Sequence, residues 1–590
     1  MTTRPTLRGT FGMAASTHWL ASQSAMAELE AGGNAFDAAV AGAFVLHVVE
    51  PHLNGPGGEV PAVFATADDP TPVVLCGQGV APAGATIEHF RGLGLDLVPG
   101  SGPLAAAVPG AVDAWLMLGR DHGTRALRDV LSYAVGYARR GHPLLPRAAA
   151  TVATMEQMFV EHWPTSAAQW LPHGRPPRPW ELVTNAAYAD VLDRLVAAGE
   201  AAGPDRDAQY DAARSAWREG FVAEAVDAFQ RRPFQDSSGR AHAGVLTGAD
   251  MAAWRPTYEP AVTQSFRGFE VVKTDLWGQG PVLLQSLAML GRLPDEALDP
   301  STVDGAHVTT EVLKLAFADR EAWYGDGSDV SVADLLDPAY VDQRLALVVD
   351  RASFDLRPGS PGGREPRLAQ HVLHGSSAPE AAGLGEPTVS VSGETRGDTC
   401  HIDVVDRWGN IISATPSGGW LQSSPTVPEL GFCLGSRMQM FWLDEGLPSS
   451  LAPGRRPRTT LSPTLVLRDG EPAYAVGTPG GDQQDQWQLV LLLRLLAGGQ
   501  ELQQAIDAPM FHTDSLPSSF YPREMEPGSL YVEDRMGDDV IDALAARGHV
   551  VTRVGDWMLG RLSGVSRDPE SGLLQAGANP RANQGYAVGR

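Results

Sequence analysis

Gly397-Asp398-Thr399-Cys400-His401 marks the point where this sequence changes character. Upstream, from Arg351 to Arg396, proline and glycine crowd the chain (Pro358, Gly359, Pro361, Gly362, Gly363 and Pro366 within nine residues) and predict an exposed, flexible loop. Downstream, Cys400 to Val405 and Ile411 to Ala414 are apolar runs joined by Asp406-Arg407-Trp408-Gly409-Asn410, which predicts a hairpin. A hydroxyl on the first residue of a strand can attack the carbonyl before it, and a loop upstream can leave once that bond breaks. The freed α-amine would then lie beside the hydroxyl and serve as its base. The competing reading of Thr399 is an ordinary strand threonine, and five residues alone leave both readings open.

Working outward, Thr464 to Leu467 and Ala473 to Val476 form a second predicted hairpin through Asp469-Gly470. Gly477-Thr478-Pro479-Gly480-Gly481-Asp482 follows it and precedes a predicted helix from Gln486 to Leu496. Consecutive glycines at such a place can aim backbone N–H groups at a developing oxyanion, and they can equally make a plain strand-to-helix turn. Gln483-Gln484-Asp485-Gln486 reads as a solvated helix start. Towards the N-terminus, Ser22 to Leu29 predicts an amphipathic helix stopped by Gly32-Gly33-Asn34, and Asp37 to Val49 a buried alanine-rich one stopped by Pro51. Gly55-Pro56-Gly57-Gly58 makes a tight loop without side chains before the strand Val60 to Ala65. Residues 120–245 read as mainly helical, with a Pro- and Trp-rich interruption from Pro172 to Trp180, and helix continues over 303–346. Strands packed under separate helical bulk predict a layered α/β fold.

The chain has 590 residues, with 43% hydrophobic and 19% charged, enough to bury a large core without disulfide or metal. A net charge of −25 argues against surfaces for nucleic acid or anionic membrane. No run of about 18 apolar residues predicts a membrane span, and the first residues do not read as a secretory signal. We therefore expect a soluble cytoplasmic protein. Cys76, Cys400 and Cys433 make no disulfide framework, and no metal-ligand spacing is evident, so neither metal nor other cofactor is expected. His18, His47, His52 and His401 are irregularly spaced and read as structural. Cys400 reads as a small buried residue rather than a nucleophile.

Several collinear stretches resemble the γ-glutamyltranspeptidase family: Gly12 to Ser16, Leu20 to Ser22, Gly32 to Ala41, Val49 to His52 with Gly55 to Gly58, Ala81-Pro82, Val108 to Gly110, Gly397 to Thr399, Arg456 to Pro463, Thr478 to Gly481, and Asn579 to Arg581. The resemblance implies the four-layer αββα fold of N-terminal-nucleophile hydrolases. It implies cleavage between Asp398 and Thr399 into a heavy chain 1–398, carrying the flexible loop 351–396, and a light chain 399–590 that stay associated; it leaves room for a homodimer. It assigns Thr399 as nucleophile and α-amine base, Ser417 as its activating neighbour, Gly480 and Gly481 as the oxyanion hole, and Thr459 and Thr460 as carboxylate-binding residues. The departures are equally informative. Gln78 stands where the family has its carboxylate-binding arginine, Gly419 where it has an asparagine, Met440 where an acid grips the γ-glutamyl amino group, and Cys400 where a second threonine is usual. Arg437 is a new cation nearby, suited to hold a carboxylate. The resemblance thus points to a small carboxylate-bearing substrate and to the hydrolytic, oxamate amidohydrolase-like members. C–C bond hydrolysis of a keto-acid intermediate of an antibiotic pathway, a γ-glutamyltransferase or glutathione hydrolase, and a cleaved but idle scaffold are the alternatives.

Overall fold

The computed structural model describes residues 2–374, 399–581 and 585–590. Two seven-stranded antiparallel sheets stack face to face. The first runs Tyr586–Gly589, Gly12–Ser16, Ile402–Asp406, Ile411–Ala414, Val60–Ala65, Val73–Gly77, Thr257–Pro260 from edge to edge. The second runs Leu7–Gly9, Leu574–Ala578, Ser563–Arg567, Glu471–Gly477, Thr464–Arg468, Phe269–Lys273, Val262–Phe266. Residues from both sides of position 398 are therefore interleaved in each sheet.

Strand alternation sorts the layers, because successive side chains point to opposite faces. Met13, Ala15, Val63, Val405 and Ile411 of the first sheet meet Val272, Leu465, Ala475 and Val565 of the second in a core between the sheets. Ile402, Val404, Ala62 and Phe64 point the other way, onto the helices Trp19–Glu30, Ala35–Val49 and Ala111–His122. Val271, Val466 and Val476 do the same on the second sheet, against Pro281–Leu290, Val303–Trp323 and Gln484–Leu492. The order is helices, sheet, sheet, helices: the expected αββα sandwich. Small residues let the helices sit close. A Cβ on Gly42 would come within 2.5 Å of the Ile402 side chain.

Most predicted elements are present, with informative shifts. The helix Ala35–Val49 is buried along its whole length and begins with a reciprocal Asn34–Asp37 capping box, so Asn34 starts one helix rather than only ending another. The helix expected over 303–346 breaks after Trp323. Gly325 takes φ 140° there and lies so close to the Pro448 carbonyl that a Cβ would meet it at 2.5 Å. Short helices resume at Val332–Leu335 and Pro338–Leu345. Of the predicted loop 351–396, residues 353–359 are fastened to the helix Val303–Trp323. The Gly359 N–H donates to Asp319 at 2.7 Å, and the Trp323 indole donates to the Gly359 carbonyl at 3.0 Å. The last part of that loop, 375–396, and Asp398 lie outside the described residues.

Candidate active site

The sheet registers place four side chains in one row. Ile402 pairs with Ala414, and the same register continues to a bridge between Thr399 and Ser417. Ile411 pairs with Ala65, continuing to a bridge between Ser417 and Glu59. Val60 pairs with Gly77, so one further step sets Gln78 opposite Glu59. Directly opposed residues share a face with Cβ atoms about 5 Å apart. Thr399, Ser417, Glu59 and Gln78 have the parity of Val405, Ile411, Val63 and Cys76, all of which face the second sheet. The row thus lies at one end of the cleft between the sheets.

Thr399 is 2% exposed, and its hydroxyl donates to the Ser417 hydroxyl at 3.3 Å. Cys400 points to the opposite face, where its thiol donates to Glu50 at 3.1 Å; the alternation of the strand excludes it from the row. His401 returns to the cleft face but is held by Thr415 at 3.0 Å and Asp403 at 2.8 Å. Its ring packs on Gly477, where a Cβ would lie 2.2 Å away. His18 caps the helix Trp19–Glu30 through its ring nitrogen. Burial pushes His47 and His52 down to about 3. His18, His47 and His401 are thus held by hydrogen bonds, whereas neither ring nitrogen of His52 has a partner among the described residues.

The strand Glu471–Gly477 reaches this end of the cleft at His401 and continues beyond it as Thr478 to Gly481, towards the Thr399 row. Gly480 takes φ 132° and Gly481 φ 52°, conformations that favour glycine, and a Cβ on Gly480 would meet the Trp487 ring at 2.5 Å. The segment before Thr464–Arg468 starts at the same end. Thr459 is fixed by its N–H to the Trp277 carbonyl at 2.9 Å, and the buried Thr460 hydroxyl has no partner among the described residues. Gln483 to Gln486 are not solvated: all four are buried, which corrects the expectation of an exposed helix start. Gln484 accepts from the Ser462 N–H at 3.1 Å and Gln486 donates to the Thr513 carbonyl at 3.0 Å. The buried side-chain amides of this helix start thus pair with backbone groups of other segments, as buried polar groups must.

Arg437 is 1% exposed and pairs with Glu59, its Nε donating to Oε1 at 2.5 Å. Its guanidinium lies 5.4 Å from the Trp420 ring centre, and Nη1 makes only a weak contact with the Met440 sulfur at 3.7 Å. Nη2 lies by Glu59 without a well-directed hydrogen bond. Burial holds the Glu59 carboxyl above its ordinary range, with Arg437 opposing the shift. The Gln78 amide donates to the Gly79 carbonyl at 3.2 Å while its Oε1 has no partner among the described residues. Glu59 is the residue that sequence reading missed. Its only signal was its position, one residue before the strand Val60–Ala65 and with the parity of Val63.

Among the described residues, no group of three or more His, Cys, Asp or Glu side chains could hold a metal ion, and no helix is long and apolar enough to cross a membrane.

A sequence profile described as gamma-glutamyltranspeptidase matches residues 21–589. The oxamate amidohydrolase proenzyme of Klebsiella pneumoniae is 31% identical, over 98% of both chains. The solved structure of LmbA2991HD is 58% identical with a TM-score of 0.93, covering 100% of both chains. The cephalosporin acylase of Bacillus halodurans is 26% identical with a TM-score of 0.83, covering 100% of this chain and 97% of that one.

Proposed function

The chain belongs to the γ-glutamyltranspeptidase family, and from that premise we propose that it is a self-processing amide hydrolase acting through Thr399. What supports this reading is the Thr399–Ser417 hydroxyl pair on one sheet, with His401 two residues on packed against Gly477, where the strand of the other sheet leads into the Gly480–Gly481 loop. In the precursor, the Thr399 hydroxyl attacks the Asp398 carbonyl, displaces the Thr399 nitrogen, and forms an ester that water hydrolyses. The chain is then cut into 1–398 and 399–590, which stay associated because each sheet contains hydrogen-bonded strands from both.

In the mature enzyme the α-amine of Thr399 takes the proton of its own hydroxyl, and the oxygen attacks the substrate carbonyl. Negative charge gathers on the carbonyl oxygen, and in this reading the Gly480 and Gly481 backbone supplies the N–H donors for it. Such donors are worth about 10²–10³ in rate each. Collapse expels the amine, which receives the proton from the Thr399 ammonium, and water then cleaves the acyl-Thr399 ester.

Arg437, Thr459, Thr460 and Gln78 hold a small carboxylate-bearing acyl group. Partly unsatisfied buried atoms on Arg437, Thr460 and Gln78 support that role, since buried polar groups without partners are costly unless a ligand completes them. Glu59 makes the pocket charge-balanced rather than simply cationic, and it favours a second reading. An acid in this row could meet a substrate ammonium in place of the acid lost at Met440, which would make the enzyme a glutathione hydrolase.

The test is a panel of γ-glutamyl-p-nitroanilide, small dicarboxylic monoamides and keto acids, assayed with wild type and Thr399→Ala. We expect hydrolysis of the monoamides, poor γ-glutamyl turnover, and no activity in Thr399→Ala. Efficient γ-glutamyl hydrolysis selects the second reading. Activity surviving in Thr399→Ala would overturn both.

A further inference from the structure

The Gly480–Gly481 loop is followed at once by two carboxylates, Asp482 and Asp485, both buried at the start of the helix Gln484–Leu492. A helix N-terminus tolerates acids well. An oxyanion forming a few ångströms away does not, because two like charges in a poorly hydrated site repel strongly. Each carboxylate is met by a cation from the part of the chain before position 398. Arg320, on the helix Val303–Trp323, pairs with Asp482. Lys273, the last residue of the strand Phe269–Lys273, lies 3.1 Å from Asp485. Gln279 ties the two pairs together, accepting from Arg320 at 2.6 Å and donating to Asp485 at 2.9 Å.

The rest of the circuit is closed by hydroxyls. Ser519 gives Asp482 its N–H at 2.8 Å and its hydroxyl at 2.6 Å. Ser462 gives Asp485 its hydroxyl at 2.6 Å and accepts from Lys273 at 2.8 Å. Burial alone would raise the Asp482 carboxyl, but Arg320 and Ser519 hold it below the ordinary range. It is therefore a charge, and one that needs its partner.

We propose that Arg320 and Lys273 are positioning residues for the oxyanion loop: they cancel the charges of Asp482 and Asp485, so that the Gly480 and Gly481 N–H groups face developing negative charge with no uncompensated anion behind them. The inference rests on the reading of Gly480 and Gly481 as oxyanion donors. It gives the heavy-chain segment a part in catalysis that its distance along the sequence hides. Once the chain is cut, groups on the light chain depend on cations supplied by the heavy chain.

The test separates charge from packing. Each variant is first checked for processing on a denaturing gel and for melting temperature, and kcat and KM are then measured on processed protein. Arg320→Met should lower kcat about a hundredfold, the size expected for one lost oxyanion donor, with KM moving less than about threefold. The double variant Arg320→Met/Asp482→Asn should recover kcat to within about tenfold of wild type, because it removes the stranded charge. Should Arg320→Met fail to fold, Lys273→Met against Lys273→Met/Asp485→Asn asks the same question through the other pair. A folded, processed single variant with wild-type kcat, or a double variant as slow as the single, would overturn the proposal. Gly481→Val keeps the two ideas apart. If it leaves kcat intact, the oxyanion assignment itself falls; if it lowers kcat while the charge-removing variants give no rescue, only the role of Arg320 and Lys273 falls.

Discussion

The two walls of the cleft are finished differently. On the first sheet, Gln78 keeps a buried amide oxygen without a partner, and Arg437 has donors that Glu59 and Met440 only partly satisfy. Behind the glycine loop of the second sheet, both carboxylates are fully engaged, Asp482 by Arg320 and Ser519 and Asp485 by Lys273, Ser462 and Gln279, while among the described residues the Arg320 Nε, Gln483 Oε1, Gln484 Nε2 and Trp487 Nε1 are left over. A fully bonded buried network is rigid, whereas an incompletely bonded one costs stability that a ligand can return. We read the first wall as the place where substrate is recognised and the second as the frame that holds the oxyanion donors.

That division can be broken by substitution. Thr399→Ala should abolish both processing and turnover, a loss of about four orders of magnitude or more when measured on substrate. On the rigid wall, Gly481→Val should lower kcat by about 10²–10³ with KM little changed; valine at φ 52° also costs stability, so kcat is read on protein shown to be folded and processed. Should KM move instead of kcat, that wall also binds the ground state and the contrast fails. On the recognition wall, Arg437→Met should do the reverse. A charged hydrogen bond of about 1.5–3 kcal/mol converts to a KM rise of roughly tenfold with kcat largely kept.

As pH falls, acid should act first on the buried histidines of the helical layer, before it reaches the depressed Asp482 carboxyl of the second wall. His47 and His52 are held neutral by burial down to about 3, whereas an unfolded histidine protonates near 6.5. Their folded pKa is depressed, so stability is complete above about pH 6.5 and is lost as pH falls towards 3. Each contributes up to about 1.4 kcal/mol per pH unit. The melting temperature should fall steadily below pH 6, and less steeply in His47→Gln, where His52 and the other buried histidines remain; a flat wild-type profile would show that these histidines are solvated. Smallest of all is Cys400→Ser, which should process and turn over within about threefold of wild type, because the thiol faces the helical layer and not the cleft.

How much of this was legible in the sequence follows the same division. The fold was readable because short uninterrupted apolar strands and alanine-rich helices carry their burial locally, as in Val60–Ala65 and Ala35–Val49. Thr399, Gly480 and Gly481 stood out because each sits at a junction between a loop and a regular element. Glu59, Arg320 and Lys273 did not. Glu59 looks like any acid after a glycine loop, and only the pairing of three strands puts it in the Thr399 row. Arg320 lies in a helix whose burial is nearly complete on all sides, so no amphipathic stripe marks it. The burial of Gln483 to Gln486 was misread for a related reason: polar residues at a helix start look solvated until their partners, far away in sequence, are known.

The central claim is that one residue, Thr399, both opens the chain and performs the chemistry. The most direct measurement is N-terminal sequencing and intact mass of the smaller chain from purified wild-type enzyme, taken with its activity. We predict a fragment beginning at Thr399, appearing together with activity and absent from Thr399→Ala. A fully active protein that remains one uncut chain, or a fragment beginning at any other residue, would contradict it.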